Sequence, residues 1–256
     1  MTGLVTTSQG DDGLFRLTLC APRSNALEPR VLTELDRGLD ALAASGCERA
    51  ILAGGRNFSS GGDVERFHQA ATENRAEAYA AEVVPVLQRC VLRMVQMPVL
   101  FAVAARGAIT GGSAGLLFAS DLAVLAPDVF VQPYYTRVGF APDGGWAALL
   151  PERLGVGAAQ DWLLSDRRVG ADDLCRIGLA REVHASPEER AADILSGMNV
   201  ASALAIKRLV WDDDRVHALR RRLSAETDAF RALIGQPATR AGMARFLGKA
   251  LDAADV

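Results

Sequence analysis

Histidine is scarce in this chain: His68, His184 and His217 are the only three in 256 positions, and none stands near another. Without a His or Cys cluster at ligand spacing, no bound metal ion is expected. Cys20, Cys47, Cys90 and Cys175 lie far apart and form no C-x-x-C pair. Each has apolar neighbours, so they read as reduced core thiols of a cytoplasmic protein, not as a disulfide framework. Long hydrophobic runs are also missing. The longest, such as 98–105, are far too short to cross a bilayer, so no membrane partner is expected. The opening stretch MTGLVTTSQGDDG lacks a basic region followed by an apolar one, so no secretory signal is expected. Nor is either sign of charge in excess. A net charge of −3 provides no general electrostatic footprint for nucleic acid. The local cluster Arg220, Arg221 and Arg222 reads as a solvated helix face or a subunit contact.

What is present is apolar bulk: half of the residues are hydrophobic, enough for a sizeable core. Residues 14–20 alternate as a strand does, and Pro29 opens a helix with Val31, Leu32, Leu35, Leu39 and Leu42 at helical spacing. Short buried strands are expected at 50–53, 98–105 and 121–126, with a helix at 75–96 that contains Pro85 and an apolar helix from Gly111 to about Ser120. This alternation predicts an α/β domain over the first 145 residues or so. Beyond that point the pattern is mostly helical, at 146–154, 158–164, 171–177, 201–211, 216–233 and 238–251. We therefore expect a core domain over 1–195 followed by a helical region over 196–256.

Two glycine-rich turns carry the chemical interest. The first is FSSGGDV, from Phe58 through Ser60, Gly61, Gly62 and Asp63 to Val64; the second is GAITGGS, from Gly107 to Ser113. Glycine lets backbone approach a ligand closely, and N–H groups at a helix start have no helical acceptor. Asp63 is also a good helix N-cap. Two such turns converging would supply the pair of donors that an oxyanion needs. Taken singly, each turn reads better as a tight turn without function. A third segment, VGFAPDGGW, places Asp143 between a proline and a glycine pair. Its plain reading is an N-cap for the following helix; its functional reading is a base whose pKa is raised in an apolar pocket.

Together and in this order the three segments resemble the crotonase (enoyl-CoA hydratase/isomerase) family. The similarity runs from the P-x-x-N-A turn at Pro22–Ala26 through FSSGGDV, GAITGGSAGLLFASDLAVLA and VGFAPDGGW. It continues with Leu164–Arg167 and Gly178–Ala180, and ends at Gly242–Lys249. The resemblance implies a spiral of ββα units with a helical C-terminal trimerisation region, assembling as a trimer or dimer of trimers. It further implies an acyl-CoA thioester as partner, with coenzyme A arriving as part of the substrate and no separate cofactor. The family's oxyanion donors fall on the Gly62 and Gly112 N–H groups. Ser60, Gly61, Asp63 and Val64 would line the path of the adenine and pantetheine, and Lys249 would approach the adenine or phosphates. The family's aromatic residue upstream of that lysine looks replaced by Leu233 or Ile234.

The departures from the pattern shape the expected activity. The two glutamates of the family's hydratases would fall at Gly115 and Tyr135, and both are absent. Asp143 matches the catalytic aspartate of some family isomerases, so an enoyl-CoA isomerase is expected, with Tyr135 as pocket wall or hydrogen-bond donor and Tyr134 beside it. A hydratase-like member, or one that binds coenzyme A without catalysis, is the alternative. A serine hydrolase is a further reading, because Gly111–Gly115 spells G-x-S-x-G around Ser113 with His184 or His217 later in the chain. His68, following the first turn, is an outside candidate for a second acid or base.

Overall fold

The computed structural model describes residues 3–250. Its main sheet has the order β1 (Val5–Gln9), β2 (Phe15–Leu19), β3 (Arg49–Gly54), β4 (Leu100–Ala105), β6 (Leu122–Leu125), β9 (Glu182–Val183). From β2 to β9 every neighbour is parallel, and β1 closes the edge antiparallel to β2, with Val5 opposite Leu19. A second, smaller sheet joins β5 (Ala108–Thr110), β7 (Phe130–Gln132) and β8 (Val169–Gly170). Consecutive strands thus alternate between two layers, β4 then β5 and β6 then β7, which is the ββα spiral expected. The edge strand β1 escapes a sequence reading because VTTSQ is polar and largely exposed, so only its pairing with β2 defines it.

The central strand β4 is buried along all six residues, because both faces of the sheet are covered. On one face Leu14, Ile51, Ala102 and Val124 pack with Ile194 and Leu195 of the helix Pro187–Ser196, an element the sequence reading did not separate. On the other face lies the main core, shared by the helices Pro29–Ser45 and Ala76–Gln96. The C-terminal helices Val200–Val210, Asp213–Ile234 and Pro237–Phe246 follow. Leu219, Leu223 and Phe230 of the second and Met243 of the third join that main core. The last helix stops short of the expected position 251: it ends at Phe246, and Leu247 and Gly248 form a turn in which Gly248 takes φ +66°, while Leu251 itself lies outside the described residues.

Two further expectations are corrected by the structure. Cys47 and Cys90 are buried thiols, but Cys20 is exposed and Cys175 half-buried; all four are free. The helix expected from Trp146 begins only at Leu150, and residues 144–149 form a turn. Gly144 and Gly145 adopt φ of +66° and +107°, which breaks the helical path. Among the described residues no helix is long and apolar enough to cross a membrane.

Candidate active site

The first glycine turn is assembled by the P-x-x-N-A segment. Arg23, Ser24 and Asn25 all take left-handed φ values of 54° to 58°, an unusual run for residues with a Cβ. That run turns the Asn25 amide inward, where Nδ2 donates to the carbonyls of Asn57 and Phe58 and Oδ1 accepts from Ala21 N–H. Ser59 Oγ donates to the Asn25 carbonyl and accepts from Gly61 N–H. Gly61 then lies against the second turn so closely that a Cβ there would meet the Thr110 carbonyl oxygen at 2.3 Å. Only glycine permits this contact, and it brings the two turns together.

In the second turn Gly112 stands in the first helical turn after Thr110, where helix geometry provides no acceptor for its N–H. Ser113 is fully buried: its Oγ donates to the Thr110 carbonyl at 2.8 Å and accepts from Thr110 N–H at 3.1 Å. This is a local capping box, so the hydroxyl serves the turn and is not presented to a ligand. His184 is exposed, with Nδ1 at Ser186 N–H, and His217 lies on the exposed side of Asp213–Ile234. Neither histidine lines the cavity, so the serine-hydrolase constellation is not assembled.

Asp143 is buried, and the capping expectation fails: its carboxylate caps no helix. Oδ1 accepts instead from the Tyr135 hydroxyl at 2.6 Å, and that hydroxyl also reaches the Asp143 carbonyl at 3.1 Å. Burial pushes the Asp143 carboxyl up to about 6, while the Tyr135 hydrogen bond pulls the other way. Burial and the neighbouring carboxylate hold Tyr135 well above its ordinary value, so it remains a donor. The carboxylate faces the second glycine turn directly. A Cβ on Gly112 would lie 2.7 Å from Asp143 Oδ1 and 3.0 Å from Oδ2.

Backbone fills the space at Gly115, one of the two positions where the resemblance places a hydratase glutamate. A Cβ on Gly115 would fall 1.5 Å from the Gly144 carbonyl oxygen, and one on Gly144 would fall 2.3 Å from the Gly112 carbonyl oxygen. The turn that carries Asp143 therefore packs backbone to backbone on the helix start, and no side chain fits at Gly115. The N–H groups of that turn are taken by Glu226, a buried residue of Asp213–Ile234. Gly145 N–H donates to its Oε2 at 2.8 Å, and Ala147 and Ala148 N–H donate to its Oε1 at 2.5 and 2.9 Å.

These pieces surround a cavity of about 400 Å³. Of the residues expected from sequence, Ser60, Gly62, Asp63, Val64, Gly112, Tyr135 and Asp143 line it, together with Tyr134. Gly61 lies behind the wall, His68 is elsewhere on its helix, and Lys249 stands at the rim with Nζ 3.5 Å from Glu65, which does line the cavity. Asp63 keeps its capping role, with Oδ1 accepting from Arg66 N–H, and its Oδ2 pairs with Arg23 at 3.0 Å. Arg222 pairs with Glu152, as a solvated helix face would. The inner wall is aromatic. Phe140 and Phe230 have ring centroids 5.1 Å apart, and Phe67 lies 5.4 and 5.6 Å from them. Phe230, one turn before Leu233 and Ile234, contributes an aromatic ring to this wall. Glu226 was missed too, although its signal was present: an acid on the apolar stripe of Leu219, Leu223 and Phe230.

Residues 9–252 match the enoyl-CoA hydratase/isomerase family. A probable enoyl-CoA hydratase of Rhodobacter capsulatus is 32% identical over 208 residues, 77% of each chain. A Delta(3,5)-Delta(2,4)-dienoyl-CoA isomerase of Pyricularia oryzae is 28% identical over 191 residues, covering 70% of this chain and 68% of that one. An enoyl-CoA hydratase of Bacillus halodurans, solved by crystallography, superposes with a TM-score of 0.86 at 24% identity, over 95% of this chain and all of that one. Hydratases and isomerases thus both stand among its relatives, and the chain belongs to the enoyl-CoA hydratase/isomerase family of enzymes.

Proposed function

We propose that this enzyme is an enoyl-CoA isomerase, moving a double bond along the acyl chain of a coenzyme A thioester. The observation that carries this reading is the Asp143 carboxylate, buried, held by Tyr135 and aimed at Gly112. In the proposed reaction the Gly62 and Gly112 N–H groups bind the thioester oxygen. Asp143 takes a proton from C2 of a 3-enoyl thioester, and the C–H electron pair flows into the thioester as a dienolate forms. The aspartic acid then returns the proton to C4, and the electrons settle into a C2–C3 double bond. One aspartate suffices because the proton is borrowed and returned, and no water is consumed. An oxyanion donor of this kind is typically worth about 10²–10³ in rate, and a positioned base roughly 10²–10⁴.

Hydration needs a second group to hold and activate water. The Gly144 backbone fills the position where one family glutamate would start, and Tyr135 stands at the other. Burial that lifts Asp143 to about 6 keeps it ionised at neutral pH yet makes it a stronger base than an ordinary carboxylate. In this reading Ser60, Gly61, Asp63 and Val64 border the pantetheine path, and Lys249 and Arg23 at the rim face the phosphates. Coenzyme A comes with the substrate and no resident cofactor is used. We also propose a trimer or dimer of trimers, since Ile206 and Leu209 expose 59% and 80% of their surface on one helix. Free cysteines fit work in the reducing cytoplasm. The test is to supply 3-hexenoyl-CoA and 2-hexenoyl-CoA separately and follow products by NMR. Isomerisation of the first without hydration of the second supports the reading; hydration of the second as the faster reaction overturns it.

A further inference from the structure

The stripe that Asp213–Ile234 turns to the core consists of Leu219, Leu223, Glu226, Phe230 and Ile234, all buried. A leucine in place of Glu226 would continue that stripe at far less desolvation cost, since a buried carboxyl is tolerated only when hydrogen-bonded. The three backbone donors Gly145, Ala147 and Ala148 meet that need. All three lie within five residues of Asp143, on the turn whose Gly144 packs against Gly112 and Gly115. With the isomerase reading as its premise, we propose that Glu226 is a positioning residue: it clamps the 143–148 turn and so fixes the Asp143 carboxylate against the oxyanion turn.

The surroundings make the clamp sensitive to protonation. The titratable groups facing Glu226 from the packed segment are Asp143 and Tyr135. The helix Ala76–Gln96 meets it beside neutral Gln88, bonded to Thr227, and Arg222 on its own helix is turned away to Glu152. Among the described residues no cation forms an ion pair with it. Burial and the Asp143 charge push Glu226 up to about 8 against the pull of the three N–H donors. Once ionised, both of its oxygens are full acceptors; protonated, one becomes a weak acceptor and the clamp loosens. The proton-exchange rate of the native enzyme is then expected to rise in two steps, near pH 6 with Asp143 and near pH 8 with Glu226.

The experiment measures deuterium exchange into 3-hexenoyl-CoA across pH for native, Glu226→Gln and Glu226→Asp enzymes, with hexanoyl-CoA affinity by calorimetry and Asp143→Asn in parallel. Glutamine matches the shape but turns an N–H donor toward one of the turn's own donors; aspartate keeps the charge but falls short. Both should lose at least about tenfold in rate per folded molecule while hexanoyl-CoA affinity stays within about threefold. The step near pH 8 should vanish in Glu226→Gln. Native rates in both variants, or affinity lost in step with rate, would overturn the positioning role. Should Glu226→Gln fail to fold, Glu226→Asp and the native profile decide by the same criteria. An Asp143→Asn enzyme at native rate would instead remove the isomerase reading itself, so the two failures are told apart.

Discussion

Placing a side chain at Gly115 tests the claim that backbone has replaced a catalytic glutamate. The smallest perturbation is Gly115→Ala. Its Cβ would fall 1.5 Å from the Gly144 carbonyl oxygen and 2.5 Å from that carbonyl carbon, whereas real Cβ contacts stay beyond 3.0 Å. The 143–145 turn must therefore move by about 1.5 Å or the helix start must give. Gly144 is itself pressed against Gly112, so the outward direction is the one open to it. Overpacking of this kind costs about 1–3 kcal/mol, which in a chain of this size lowers Tm by roughly 2–4 °C per kcal/mol. Asp143 travels with the turn, and a displacement of about 1 Å at a reacting group can cost about 10²-fold in rate. The assay pairs a thermal melt with exchange into 3-hexenoyl-CoA. A Gly115→Ala enzyme with native stability and native rate would refute the packing argument, and with it the reason given for the missing glutamate.

Two further outcomes follow from the same geometry. Asp143 must be ionised to accept a proton, so activity should climb as pH rises through about 6. The folded pKa lies above the unfolded one, so the buried charge costs stability as pH rises from about 4 to 6, and that cost persists above 6. Asp143→Asn should accordingly gain up to about 3 kcal/mol at neutral pH, read from urea melts. A loss of stability at pH 7 would contradict this placement of the charge. The second outcome concerns assembly: light scattering at micromolar protein should give a trimer or a multiple of it, and a stable monomer would remove that proposal.

How much of this was legible in the sequence depended on the range of the interaction. The two glycine turns announce themselves because their glycines answer local demands, such as Gly61 against Thr110, and glycine is a residue one can read. The helix Pro29–Ser45 was equally plain from its spacing. The P-D-G-G segment marked Asp143 but left its role open between a helix cap and a base. In the capping reading Asp143 would have capped a helix from Trp146, yet the donors that a cap would satisfy belong to Glu226, about 80 residues further along the chain. That competition decides where Asp143 points, and no local pattern contains it. The strand β1 was hidden for a related reason: its sequence is polar, and its conformation comes from pairing with β2. The aromatic ring of Phe230 stands on the cavity wall one helical turn before Leu233, a placement set by its packing against Phe67 and Phe140.

The central claim is that Asp143 carries a proton between two carbons of the acyl chain. The most direct measurement is deuterium incorporation from D2O into 3-hexenoyl-CoA by native and Asp143→Asn enzymes, with hexanoyl-CoA affinity measured on the same preparations. Asparagine keeps the size and can still accept the Tyr135 hydrogen bond, but it cannot take a proton. Exchange should fall by about 10²–10⁴-fold while hexanoyl-CoA affinity stays near native, because Gly62 and Gly112 are untouched. Exchange at the native rate in a folded Asp143→Asn enzyme would contradict the claim.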